Sequence, residues 1–229
     1  MTDDFIQSSP SLDAYWRAII LFGRNSASYK FALAKALFEM TSQERSFVAL
    51  DELAEPFANN ILEHMKFSKR QGTSQSSKFL QVLNSFKEGD ISLSQMQERT
   101  TQLGFVNVID AFHVVNQQLI PIRFFVDERK SRNGISITDE FFRLKESFQS
   151  ENLPFEVEAR WRLVETSWSL GISSNLLTIQ YDSGNHSLFV EESELRRINI
   201  TSSIDALNGY QKGKCFYCFR DISISGCDV

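Results

Sequence analysis

The segment VEARWRLVETSWSLG, residues 157–171, sets Val157, Trp161, Val164 and Trp168 at spacings of four, three and four before a glycine. That rhythm marks one face of an α-helix. Two indoles and two valines on one stripe are costly to leave in water, so the stripe predicts a helix laid into a hydrophobic core. Such a core needs other elements around it, and the remaining chain has to supply them.

With 229 residues, 42% hydrophobic and 23% charged, the chain can build one large domain or two small ones of ordinary globular composition. The 20 Phe predict a core of large flat rings in close contact, and 10 Gly with 4 Pro argue against a loop-dominated fold. In the first hundred residues the helical signals follow one another. SLDAYWRAIILFG carries capping candidates Ser11 and Asp13 and stops at Gly23. NSASYKFALAKALFEM aligns Tyr29, Leu33, Ala36, Leu37 and Met40 on one face, behind Asn25 or Ser26 as cap. From Glu44 to Phe67 the apolar positions Phe47, Leu50, Ala54, Phe57, Ile61 and Met65 keep helical spacing. Pro56 removes a donor midway, which predicts a kink or two helices meeting there. FLQVLNSF is a further helix closed at Gly89, and Ser92 with Gln95 forms a capping box for LSQMQERTTQL, stopped by Gly104.

The pattern changes near Phe105. VNVIDAFHVV is rich in β-branched and aromatic residues, and PIRFFVDERKSRNGISIT reads as two short strands around a turn holding Asn133 and Gly134. Thr138 can cap TDEFFRLKESF, in which Phe141, Leu144 and Phe148 align. LLTIQYDSGNHSLFV alternates on either side of DSGN, a hairpin signal, and Ser202 or Ser203 can open a brief helix up to Gly209. The expected fold class is mainly α with small β-hairpins (α+β). Its divisions are a helical region 1–104, a mixed region 105–204 packed on it, and a hairpin region 205–229.

The amino terminus MTDDFIQSSP is acidic where a secretory signal would be basic, and no apolar run reaches membrane-spanning length. The expectation is a cytoplasmic protein with no membrane partner. A net charge of −5 provides no global attraction to nucleic acid, so DNA contact has to come from a local basic surface. KFSKRQGTSQSSK supplies one, with Lys66, Lys69, Arg70 and Lys78 among small polar residues; it reads as a mobile loop, a solvated connection or a DNA-facing one.

All three cysteines fall in the last fifteen residues, too local to make a disulfide framework for the chain. Cys215 and Cys218 bracket two aromatics in GKCFYCFRDIS, a spacing that lets two thiolates bind one tetrahedral zinc from a tight turn. A redox pair has the same spacing, and a complete zinc site needs a second pair. Cys227 lies too far along to share the turn and reads as a small strand residue.

Gly209, Tyr210, Gln211 and Gly213, then Lys214, Cys215, Phe216, Tyr217 and Cys218, followed by the strand-like stretch 222–229, resemble the first hairpin of HNH endonucleases. The resemblance covers residues 205–229, about a tenth of the chain. It implies a ββα-metal fold in which the knuckle opens the site and the next strand delivers an Asp-His pair, with SGCDV standing just before that pair. It further implies hydrolysis of a DNA phosphodiester, with a histidine as general base on water, a divalent ion such as Mg stabilising the phosphate, and a structural zinc on the knuckle.

No histidine follows the knuckle. His64 lies on a helix beside the basic loop, His113 in an apolar run that suits a satisfied core histidine, and His186 at a hairpin turn. Catalytic residues are therefore expected beyond Val229, and residues 1–229 alone are expected to be inactive and to bind zinc weakly through Cys215 and Cys218. The expected function is the accessory portion of an HNH-type DNA endonuclease, of the kind used against foreign DNA. Phosphates are expected at Lys66, Lys69, Arg70, Lys212, Lys214 and Arg220, with DNA and a partner protein or second copy as partners. The competing reading is a non-catalytic protein- or DNA-interaction module whose knuckle staples the carboxyl end; a zinc-ribbon transcription factor lacks its second cysteine pair.

Overall fold

A computed structural model describes residues 11–23, 26–40, 45–74, 76–148, 150–170, 179–182 and 187–190. Its elements, in order, are α1 (Leu12–Phe22), α2 (Tyr29–Met40), β1 (Phe47–Ala49), α3 (Leu50–His64), α4 (Lys78–Glu88) and α5 (Leu93–Leu103). The single turn α6 (Val108–Ala111), strands β2 (Val114–Val115), β3 (Gln118–Leu119) and β4 (Phe125–Glu128), and the single turn α7 (Arg129–Arg132) come next. β5 (Gly134–Ile137), α8 (Asp139–Glu146), α9 (Leu153–Leu170), β6 (Ile179–Asp182) and β7 (Ser187–Val190) complete the set. The described chain is α+β, mainly helical, with small antiparallel sheets.

The stripe on α9 is core: Val157, Trp161, Val164 and Trp168 are all buried. The helices packed most closely on it are α2 and α1. α2 is buried on nearly every side through Lys30, Phe31, Ala32, Leu33, Ala34, Ala36 and Leu37, which makes it a central helix rather than one with the single apolar face expected. Small alanines between the large residues let neighbours approach from several directions. Trp16 of α1 fills the other end of the core, edge-on to Phe38 and Phe124 at centroid distances of 5.2 and 5.3 Å and tilted against Phe112 and Phe141. α1 is also tied to α9 by a forked ion pair, Arg17 Nε and Nη2 donating to the two oxygens of Glu156 at 2.8 and 2.9 Å. One continuous core draws on both sides of residue 105, from Trp16 through Phe105 and Phe124 to Trp168.

Local rules account for several boundaries. Ser92 Oγ accepts from Gln95 N–H at 3.3 Å while Gln95 Oε1 accepts from Ser92 N–H at 2.9 Å, the reciprocal box that starts α5. Gly89 ends α4 at φ 84°, a left-handed conformation that costs a glycine little. Gly23 follows α1 in extended backbone, so it is not a left-handed cap; a Cβ there would collide with the backbone carbonyl of Ile19 and come within 2.5 Å of Lys30 Nζ.

Other boundaries depart from the local pattern. Residues 47–49 do not begin a helix but form β1, the edge of a three-stranded antiparallel sheet in the order β1-β5-β4, with Val48 opposite Ile135. α3 then runs unbroken through Pro56, so neither of two separate helices forms there. The expected hairpin around Asn133 exists as β4 and β5, joined by the turn α7 and by Asn133 in the left-handed region at φ 53°. The middle of VNVIDAFHVV, Val108–Ala111, is a helical turn, α6, before the two-residue strand β2. Phe148 lies past the end of α8 and is exposed, while Phe141 and Leu144 are buried. β6 and β7 pair antiparallel across residues 183–186. The brief helix expected after Ser202 and the knuckle at Cys215 and Cys218 lie outside the described residues. No helix among the described residues is long and apolar enough to cross a membrane.

Candidate functional site

α9 carries polar groups on its buried side beside the apolar stripe: Glu158, Trp161 and Glu165 fall three and four residues apart, on one helical face. Against them lies the last turn of α3, which ends on His64. The imidazole stacks on the Trp161 indole with centroids 3.5 Å apart and planes within 2°. Its Nδ1 is 3.0 Å from Glu165 Oε1 and its Nε2 is 3.2 Å from Glu158 Oε2. A neutral imidazole has one N–H and one lone pair, and ionised carboxylates only accept, so both contacts are satisfied together by the imidazolium. Burial alone would lower the His64 pKa, but the hydrogen bonds and charges of Glu158 and Glu165 outweigh it and raise the value.

Glu158 gathers cations from two helices besides. Lys35 Nζ of α2 donates to Oε2 at 2.7 Å, and Arg162 Nε donates to Oε1 at 2.9 Å. Burial would raise this carboxyl, yet the hydrogen bonds from His64 and Lys35 hold it well below the ordinary carboxylate range. Gln71 closes the cluster: its Nε2 donates to Glu165 Oε1 and, at 3.1 Å, to the Ser68 carbonyl, while its Oε1 accepts from Trp161 Nε1 at 3.1 Å. The side chains of His64 and Glu165 are each only 7% exposed. The two carboxylates sit on opposite nitrogens of one ring and so do not converge on a common point. Among the described residues no group of three or more His, Cys, Asp or Glu is placed to hold a metal ion. The cluster is a fastener between α3, α9 and the loop that follows α3.

That loop is the basic segment. It is held, not loose, between Lys66 and Gly72. Phe67 and Ser68 N–H donate to His64 O at 3.0 and 2.9 Å, Arg70 Nη1 donates to Trp168 O at 2.7 Å, and Ser28 N–H donates to Gln71 O at 3.1 Å. Gly72 makes an antiparallel bridge with Ala27. The structure thus brings Lys66, Lys69 and Arg70 together on one exposed turn, with Lys66 Nζ 2.6 Å from Glu63 Oε1. Lys87 of α4 joins them by donating to Met65 O at 3.3 Å. Lys212, Lys214, Cys215, Cys218 and Arg220 lie outside the described residues.

His113 is the second buried histidine. Its Nε2 accepts from Phe124 N–H at 3.0 Å among the rings of Phe112 and Phe125. Burial, with the charges of Arg123 and Lys30, lowers its pKa to about 3. Lys30 itself is lowered to about 8 by burial, with Nζ 3.3 Å from Val114 O. An open cavity of about 350 Å³ between α2 and the start of α9 is lined by Lys35, Phe38, Glu39 and Lys145 among others.

Sequence reasoning noted His64 beside the basic loop but not its partners. The available signal was the pair Glu158 and Glu165, seven residues apart and flanking Trp161, on a helix already read as core. Comparison of the chain with protein-family models, curated proteins and solved structures returns no match.

Proposed function

We propose that this chain is the accessory, DNA-contacting portion of an HNH-type DNA endonuclease, a protein that hydrolyses phosphodiesters with a divalent metal ion. The observation that carries the reading is the stretch GYQKGKCFYC, residues 209–218, whose glycines, tyrosine, lysines and aromatic-filled cysteine pair follow the order of an HNH knuckle. Two features of the described region support an accessory role. Lys66, Lys69 and Arg70 share one exposed, well-anchored turn, which suits phosphate contact. Both described histidines are committed elsewhere, His64 to two carboxylates and His113 to a backbone amide, so neither is free to take a proton from water.

Cys215 and Cys218 provide two donors of a tetrahedral set, and zinc would be held there together with two further ligands. Its contribution would be to fold the knuckle. In this reading the cutting step and its divalent ion would belong to the metal centre of the endonuclease, which neither His64 nor His113 serves.

Two measurements test the proposal. The coding sequence after codon 229 is expected to contain an Asp-His within a few residues, then Asn and His on a helix and a second cysteine pair; unrelated codons or a natural stop would instead favour a non-catalytic interaction module. Electrophoretic binding of residues 1–229 to DNA is expected to weaken steeply with salt, because phosphate contacts release counterions. Absent or salt-insensitive binding would remove the basic turn from the proposal.

A further inference from the structure

We infer that the turn after α3 is a stacking platform for an unpaired base. Phe67 offers its ring to a base of single-stranded nucleic acid while Lys66, Lys69 and Arg70 meet the flanking phosphates. The inference rests on the DNA reading above and narrows it to a single strand, or to a strand opened from a duplex.

Phe67 is 88% exposed; Phe148 and Phe155 are also exposed, and what distinguishes Phe67 is its place on the basic turn among Lys66, Lys69 and Arg70. Its neighbours on the turn are cations rather than other large apolar groups. Single strands are bound by aromatic faces that stack on bases together with positive charge along the backbone, and this turn offers both kinds of contact. A lipid surface calls for a broader apolar face than one phenyl ring. A stacked duplex hides its base faces, so the ring could reach them only after a base had left the stack.

Local charge supports an anionic occupant. Lys66, Lys69, Arg70 and Lys87 outnumber Glu63, the carboxylate paired with Lys66, and the buried Glu165 beneath the turn is paired with His64, although the whole chain carries −5. Several of the carbonyls at the end of α3, which would otherwise oppose an anion, already accept hydrogen bonds. Ile61 O is taken by Met65 N–H, Glu63 O by Lys66 N–H, His64 O by Phe67 and Ser68 N–H, and Met65 O by Lys87 Nζ.

The turn is also prepared in advance. Gln71 anchors it to Glu165 and Trp161, and Arg70 anchors it to the last turns of α9, so little backbone order has to be gained on binding. A mobile basic loop would show neither clamp.

The test is fluorescence anisotropy of residues 1–229 with a labelled oligothymidine and with a duplex of the same length, over a salt series. Phe67→Ala is expected to weaken oligothymidine binding about five-fold or more, the size of one lost base stack, without changing the salt slope. Phe67→Trp is expected to restore it or tighten it. Lys69→Ala is expected to reduce the single-strand salt slope by roughly 0.7, one phosphate contact. Because the ring is exposed, Phe67→Ala should keep the wild-type circular dichroism spectrum, so a loss of binding is not a loss of fold. If Phe67→Ala binds like wild type while Lys69→Ala still lowers the slope, the stacking role fails and the DNA reading stands. Equal losses on oligothymidine and duplex would also overturn the stacking role. If neither probe binds, or if only anionic vesicles bind and Phe67→Ala abolishes that, both readings fall.

Discussion

His64 and His113 lie in the same described core, each nearly closed to solvent, and their surroundings push their pKa values in opposite directions. His64 sits between Glu158 and Glu165, which favour its protonated form; His113 sits among Phe rings near Lys30 and Arg123, which disfavour it. Burial pushes both the same way, towards neutrality. What separates them is the charge of the groups that face the ring: two carboxylates at 3.0 and 3.2 Å in one case, and a donated backbone N–H with two nearby cations in the other. The consequence is a division of labour. The His64 region is an ionic fastener between helices and loop, and the His113 region is an apolar core that contains one polar ring.

The sharpest way to break this contrast is to remove one carboxylate. Glu165→Leu leaves the His64 imidazolium and the Gln71 amide without their shared partner, an expected loss of about 3–5 kcal/mol in urea unfolding. The double variant His64→Leu with Glu165→Leu should lose less than the sum of the single changes, because a packed apolar pair leaves no stranded charge. Additive losses would mean that the two residues are not a pair.

A loss of similar or slightly smaller size is expected on the acid side for His113. An unfolded chain protonates this histidine near 6.5, whereas the folded one resists down to about 3. Its stabilising contribution is therefore complete above pH 6.5 and falls as pH drops across that window, by on the order of 4 kcal/mol. His113→Gln keeps an acceptor for Phe124 N–H but cannot titrate, so its stability should be flatter between pH 6.5 and 3. An acid limb unchanged in this variant would show that other groups carry it.

His64 predicts the opposite slope. Its folded pKa is raised, so its contribution is fully present below 6.5 and is lost as pH rises through the folded value. The NMR titration of the His64 ring should fall above that of a free imidazole, while the His113 ring stays neutral through the same range. A His64 ring that is neutral at pH 6 would overturn the ionic fastener.

Smaller effects sharpen the picture. Lys35→Met removes one cation from Glu158 and should cost about 0.5–1 kcal/mol while moving the His64 titration further upward, since a like charge has been taken away. Phe67→Ala, on the exposed turn, should change stability by no more than roughly 0.5 kcal/mol. A larger loss would mean that the ring is packed.

Much of the helical scaffold was legible because its signals are local. The α9 stripe repeats at helical period, Ser92 and Gln95 cap each other across one turn, and Gly89 alone among its neighbours adopts a left-handed φ cheaply. Residues 47–49 were not legible. Phe47, Val48 and Ala49 suit a helix turn or a strand equally well, and pairing with β5, almost ninety residues away, chooses the strand. Phe148 kept the spacing of Phe141 and Leu144, but α8 stops before it. The basic turn was visible as composition, and its fixed shape was not, because its clamps come from Glu165, Trp161 and Trp168 on a distant helix.

The chain's order of residues alone determined where most helices start and stop, that α9 is buried, and that positive charge gathers at 66–70. Each follows from backbone and side-chain preferences acting within a few residues. Only the tertiary structure decided which histidine is pushed towards its charged form. A pKa depends on groups within a few ångströms in space, and for His64 those groups lie 94 and 101 residues further along the chain.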